Sequence, residues 1–153
     1  MNHLMSEQAY YEMYDTIGVA MEVYNTLGRG LQEAVYQEAM EMEFSLQNIK
    51  ASGQYPIHIW YKGQKMEKYY LADFYYHGMM VELKSVENLC PEHRSQLFNY
   101  MRLCKVERGI LINFGETKLR CERYLYQPDD DSFVLLSKSN YKDYIETKKE
   151  ISE

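Results

Sequence analysis

From Ser6 to Leu27 the apolar residues Tyr10, Tyr14, Ile17, Met21 and Tyr24 recur at steps of three and four, which predicts one helix with Ser6 as its N-cap. Gly28-Arg29-Gly30 interrupts the pattern, and a second helix is expected from about Leu31 to Ile49. This second segment carries two apolar stripes. One is Leu31, Val35, Ala39, Met42 and Leu46; the other is Tyr36, Met40 and Phe44, and one turn back along it lies Glu33. Two stripes predict a helix packed between layers.

After Ser52-Gly53 the period shortens to two. Tyr55 to Tyr61, Tyr69 to Tyr76 and Met79 to Val86 read as strands rich in aromatic and β-branched residues, with turns at Lys62-Gly63-Gln64 and His77-Gly78. Pro91 suits the first turn of a third helix, carried to about Lys105 by Ser95, Leu97, Phe98, Met101 and Cys104. The run Gly109 to Phe114 reads as a strand buried on both faces, and Lys118 to Tyr126 as another; Phe133 to Leu136 is a short apolar stretch before a charged end with a helix from Tyr141. Short turns make the first three strands antiparallel, and the strand reached through the Pro91 helix is expected to run parallel to one of them. The expected architecture is a single α/β domain, a mixed sheet flanked by helices, divided into a helical part at 6–49, a core at 54–126 and a tail at 127–153.

Composition narrows the class. A chain of 153 residues, 46% hydrophobic and 26% charged, is long enough for one globular core and too short for two independent domains. Its net charge of −6 argues against a generally basic nucleic-acid coat, but the charge is uneven. Residues 1–49 hold eight acidic side chains and one basic, Arg29, whereas residues 50–123 hold twelve basic and eight acidic. The middle segment can therefore meet a polyanion, with Lys62, Lys65, Lys68, Arg94, Arg102, Lys105 and Arg108 as candidate backbone contacts. Cys90, Cys104 and Cys121 form no CxxC or zinc-finger spacing, which points to a reducing compartment. With no apolar segment of membrane-spanning length and no signal-like N-terminus, a soluble cytoplasmic protein is expected.

The chemistry-bearing residues come together through one turn. If His77-Gly78 is a two-residue hairpin loop, Tyr76 pairs with Met79 and Asp73 lies opposite Glu82 on the same sheet face. Two facing carboxylates repel each other. Lys84, two positions beyond Glu82, projects from that face and can neutralise one of them; two converging hard oxygen donors also describe a site for Mg²⁺ or Mn²⁺. On the following helix His93, Gln96 and Tyr100 share a face. Each feature has a plainer explanation: a charge ladder on a solvated sheet, an exposed helix face, and for Glu33 the favourable placement of an acid in a first helical turn.

Together these residues resemble the PD-(D/E)XK nuclease superfamily. Asp73, then Glu82-Leu83-Lys84, then Gln96 to Tyr100 is similar to its RecB-like branch, which carries a QxxxY helix after an ExK strand. Gly30 to Tyr36, Pro91, His93, Gln96, Asn99 and Tyr100, and Ile112-Asn113-Phe114-Gly115 are similar to the segments of one small group, the GxxExxY family, over about residues 15–125. The resemblance implies a restriction-endonuclease-like fold and a metal-dependent nuclease acting on nucleic acid, with DNA rather than RNA the expected substrate. It further implies that Asp73, Glu82 and Glu33 ligate Mg²⁺ or Mn²⁺, that Lys84 orients the attacking water, and that Gln96 positions Lys84 or the scissile phosphate. Tyr100, His93 and Arg94 are then candidates for contacting substrate. Leu71-Ala72-Asp73 lacks the proline of the superfamily's name.

Two other classes stay open on the sequence. One is a non-catalytic nucleic-acid- or protein-binding module that keeps the fold; the other is an interaction protein using its 16 tyrosines. A homo-oligomer is compatible with any of the three.

Overall fold

The structure, a computed structural model, describes residues 1–147. Helix α1 spans Glu7–Leu27 and α2 spans Glu33–Leu46; strands β1 (Ser52–Tyr61), β2 (Gln64–Tyr76) and β3 (Met79–Lys84) follow. Helix α3 (Pro91–Cys104) leads to β4 (Arg108–Asn113), β5 (Arg120–Gln127) and β6 (Ser132–Leu135). The six strands form one sheet in sequence order, antiparallel throughout except for the parallel β3–β4 pair that α3 connects. The expected mixed sheet with helices against it is the fold observed.

Both hairpin turns have the geometry that right-handed strand twist favours. Lys62 and Gly63 have φ of 48° and 79°, His77 and Gly78 of 47° and 73°, so both loop residues of each turn are left-handed. Only two residues separate the strands each time, and the register of β2 on β3 is the expected one: Tyr76 faces Met79, Tyr75 faces Met80 and Phe74 faces Val81.

Two apolar layers sandwich the sheet. On one side α1 and α2 contribute Met13, Val19, Tyr36, Met40 and Phe44 against Phe74, Val81, Leu83, Ile110 and Ile112; on the other α3 contributes Leu97, Tyr100 and Met101 against Met80, Leu111 and Tyr124. Strand β4 is buried at all six positions because its two faces meet different layers.

The helical faces differ from expectation in two places. In α1 the core is met by Tyr10, Met13, Thr16, Val19, Ala20 and Val23, while Tyr14 and Met21 are exposed. Tyrosine and methionine tolerate a wet edge, so the smaller Val and Ala residues mark the packed face more faithfully here. In α2 only the Tyr36, Met40 and Phe44 stripe is covered; Leu31, Val35, Met42 and Leu46 face solvent, so the helix is not packed between layers. The helix anticipated from Tyr141 is a single 3-10 turn, Tyr141–Tyr144; residues 148–153 of the expected tail lie outside the described residues. Cys90, Cys104 and Cys121 are free thiols. Among the described residues no helix is long and apolar enough to cross a membrane.

Candidate active site

The β2–β3 ladder stops at Phe74 and Val81, and side chains take over from backbone at the next pair. The Asp73 N–H donates to Glu82 Oε1 at 2.9 Å, and the Leu83 N–H donates to Asp73 Oδ2 at 2.7 Å. Each carboxylate thus holds the opposite strand's backbone where a ladder bond would otherwise form. The side of the sheet presented by β2 also changes here: Phe74 and Tyr76 pack toward α1 and α2, whereas Tyr75 and Ala72 both pack toward α3. Strict alternation forbids that for positions three apart, so the strand turns over at Asp73.

Burial makes this pair electrostatically costly. Glu82 is 3% exposed, and desolvation, followed by the charge of Asp73, pushes its carboxyl well above the usual range. Desolvation also raises Asp73, with the Glu33 charge adding to it, against the opposing pull of the Leu83 N–H and of Lys84. Lys84 ends β3 with its side chain 15% exposed, and its Nζ donates to Gln96 Oε1 at 2.6 Å. Gln96 Nε2 in turn donates to the Tyr100 hydroxyl at 3.0 Å. Burial raises the Tyr100 phenol, and the charges of Glu82 and Asp73 act in the same direction.

Glu33 opens α2 and stands 3.9 Å from Lys84 Nζ, so the structure brings it to the amine. Its charge also acts on Asp73, although among the described residues no group of three His, Cys, Asp or Glu side chains that could hold a metal ion is found. His93 and Arg94 are occupied elsewhere. His93 Nδ1 accepts the Cys90 N–H at 3.1 Å, capping α3, although the ring also borders a groove beside Gln96 and Tyr100. Arg94 donates from Nε and Nη2 to the two oxygens of the buried Glu122 at 2.8 and 2.9 Å.

Several residues that brace the site carried no role in the sequence reading. Gln37, one turn after Glu33, donates to the Asp73 carbonyl at 2.9 Å, and its own Oε1 is buried without a partner among the described residues. Helical spacing from Glu33 was the available signal. Tyr36 donates to the Gly28 carbonyl at 2.6 Å, accepts the Leu31 N–H at 3.1 Å and stacks on Phe114 with ring centres 4.1 Å apart. Asn113, paired with Lys84 across β3 and β4, clamps Val86 through both its N–H and its carbonyl. Gly115 is needed beside it because a Cβ there would run into the Val86 backbone.

An α/β sheet with two acids and a lysine on the adjacent strands β2 and β3, backed by a glutamine on the crossover helix, is the framework of a restriction-endonuclease-like protein. The sequence model of the PD-(D/E)XK nuclease superfamily matches residues 11–124, most of the chain, and the protein belongs to that superfamily. No curated protein and no solved structure matches the chain.

Proposed function

We propose that this protein is a divalent-metal-dependent nuclease that hydrolyses phosphodiester bonds in DNA, of the GxxExxY type within the QxxxY-bearing RecB-like branch. Its superfamily membership supports a nuclease-like activity on nucleic acid. The observation that carries the finer reading is the interlock of Asp73 and Glu82 with Lys84 at the same strand end.

The donor set fits Mg²⁺ or Mn²⁺. Two hard carboxylate oxygens converge, and both acids are pushed toward protonation. Asp73 and Glu82 would hold the cation, which would offset the repulsion that burial amplifies and would supply Lewis-acid stabilisation of phosphate charge. Magnesium ordinarily keeps several waters, so two protein carboxylates suffice; Glu33 enters as a partner of Lys84 rather than as a ligand. Lys84 has its amine aimed by Gln96 and is the group that orients water or donates to the developing phosphate charge. Tyr100 fixes Gln96, and His93 borders the approach to it.

The test is cleavage of single- and double-stranded DNA with Mg²⁺ or Mn²⁺, beside the Asp73→Asn and Lys84→Ala variants. Loss of cleavage in both variants supports the reading. Equal activity in wild type and variants rejects it. The second reading, a non-catalytic binding module, is favoured by the lack of a three-donor cluster among the described residues; it requires that DNA be bound and remain intact through long incubation.

A further inference from the structure

The fold disposes of the middle segment's cations in two ways. Arg94, Arg102 and Arg108 are tied down by Glu122, Asp131 and Glu12. Lys62, Lys65 and Lys68 lie at the far end of the β1–β2 hairpin, where the only acid in sequence is Glu67, and none of the three forms an ion pair among the described residues. In a chain of net charge −6, this is a local cluster of uncompensated positive charge.

The same hairpin end is aromatic and wet. Every residue from 58 to 71 is exposed except the half-buried Ile59. Trp60 and Tyr61 are each 64% exposed and Tyr69 is 50% exposed. Lys62 Nζ stands 5.5 Å over the Tyr61 ring and Lys68 Nζ stands 5.7 Å over the Tyr70 ring. Flat rings interleaved with ammonium groups, contributing nothing to either core layer, are the elements of a stacking platform for unpaired bases with phosphate contacts alongside.

The arm is continuous with the candidate active site. Register places Tyr70 opposite Ile57, on the α3 side of the sheet, and its ring centre is 5.4 Å from that of Tyr100. Tyr70, Glu92, His93, Gln96 and Asn99 line a groove of about 490 Å³ between the arm and α3. From Tyr100 the hydrogen-bonded path runs through Gln96 to the Lys84 amine.

We infer that the β1–β2 hairpin is a docking arm for single-stranded DNA. Register puts Trp60, Lys65 and Tyr69 on one face of the hairpin and Tyr61, Lys68 and Tyr70 on the other, so the strand wraps the hairpin end: bases stack on Trp60, Tyr61 and Tyr69, phosphates lie against Lys62, Lys65 and Lys68, and the strand enters the Tyr70–Tyr100 groove on the α3 side toward Asp73 and Glu82. Duplex DNA offers no free base faces, so the arm selects unpaired strands. A second copy of this chain is disfavoured as the occupant. Strand β1 is an edge, but Pro56, the left-handed Gln54 (φ 48°) and the register shift between His58 and Trp60 interrupt it, and two lysine clusters would repel. The destination of the strand rests on the nuclease reading; its binding by the arm does not.

Trp60 is the only tryptophan in the chain, so its fluorescence reports the arm directly. Titrating the full-length protein with oligothymidylate in EDTA should quench Trp60, and affinity should fall with salt at a log–log slope of roughly −2 for three phosphate contacts. In fluorescence anisotropy, Tyr61→Ala/Tyr69→Ala should weaken binding about tenfold or more, and so should Lys62→Ala/Lys65→Ala/Lys68→Ala, with melting temperatures unchanged. No quench, undiminished affinity in both variants, or equal affinity for a blunt duplex would overturn the arm. So would a wild-type dimer that Trp60→Ala dissolves. Quenching without cleavage in Mg²⁺ would leave the arm standing and remove the nuclease. Cleavage with an unchanged KM in the arm variants would do the reverse.

Discussion

Lys84 Nζ and Gln96 Oε1 lie 2.6 Å apart across the gap between β3 and α3, so the amine of the ExK strand is aimed by the crossover helix that follows it. A lysine side chain otherwise samples many rotamers; here one donor direction is taken up by Gln96, which Tyr100 holds in turn. Lys84→Ala is expected to lower DNA cleavage by about a hundredfold or more, as loss of a charge-stabilising donor does. Gln96→Ala, which leaves the amine present but unaimed, should lower kcat about tenfold with KM little changed. Steady-state cleavage assays separate the two, and equal losses would show that Gln96 does more than position Lys84.

The carboxylate pair ties stability to pH and to metal. Both folded-state values lie above the ordinary ones, so protonation favours the fold. That stabilisation is fully present below the unfolded carboxylate value and is lost as pH rises through the raised folded values. The charged form of the pair is therefore the costly one, and a divalent cation would relieve it. Millimolar Mn²⁺ should therefore raise the wild-type Tm by several degrees at pH 7.5. Glu82→Gln keeps an oxygen for the Asp73 N–H while removing the charge, so it should raise the metal-free Tm and abolish the Mn²⁺ increment. A thermal melt with and without Mn²⁺ decides it, and an unchanged increment in Glu82→Gln would place the cation elsewhere.

Much of this site was legible because a turn fixes register. His77-Gly78 has one favoured loop length, and that alone sets Asp73 against Glu82 and Lys84 beside them. Helical spacing was as informative for Gln96 and Tyr100, whose side chains meet one turn apart. What the pattern could not show is where long side chains spend their donors. Arg94 is one residue from His93, yet it is claimed by Glu122 from β5, nearly thirty positions away in sequence. His93 is bound locally, as a cap of its own helix. The exposed stripe of α2 failed for another reason: periodicity says which residues share a face, and only packing says whether anything covers it.

Arg94 gives a test of that distinction. Burial by itself would raise the Glu122 carboxyl, but hydrogen bonds from Arg94 and Tyr124 outweigh it and hold the group below its usual value. Its contribution is therefore present above the unfolded carboxylate value and is lost as pH falls through the depressed folded value. Arg94→Ala would leave a buried acid with both guanidinium donors gone and only the Tyr124 hydroxyl in place, and should cost about 2–3 kcal/mol at neutral pH. Denaturant unfolding measures this, and the deficit should shrink in acid as Glu122 protonates. A variant of wild-type stability that had lost DNA affinity would instead return Arg94 to substrate binding.

Tyr36 links the loop before α2 to the site, and its hydroxyl can be removed without disturbing its ring. The ring stacks on Phe114, whose N–H is held by the Lys84 carbonyl at 2.8 Å, while the hydroxyl joins the Gly28 carbonyl and the Leu31 N–H. The Leu31 carbonyl in turn accepts from Ser85, the residue after Lys84. The loop that delivers Glu33 is thus fastened both to the end of β3 and to Phe114, the residue that follows β4. Tyr36→Phe keeps the stack and deletes both hydroxyl bonds. The expected loss is about 1–2 kcal/mol, or roughly 5 °C in Tm for a chain of this size. Cleavage should fall severalfold, because the Glu33 carboxylate no longer starts from a fixed turn beside Lys84. A calorimetric melt and a cleavage rate measured on one preparation check both parts. Unaltered stability would mean that Gly30, whose N–H reaches the Phe114 carbonyl at 3.1 Å, holds the loop by itself.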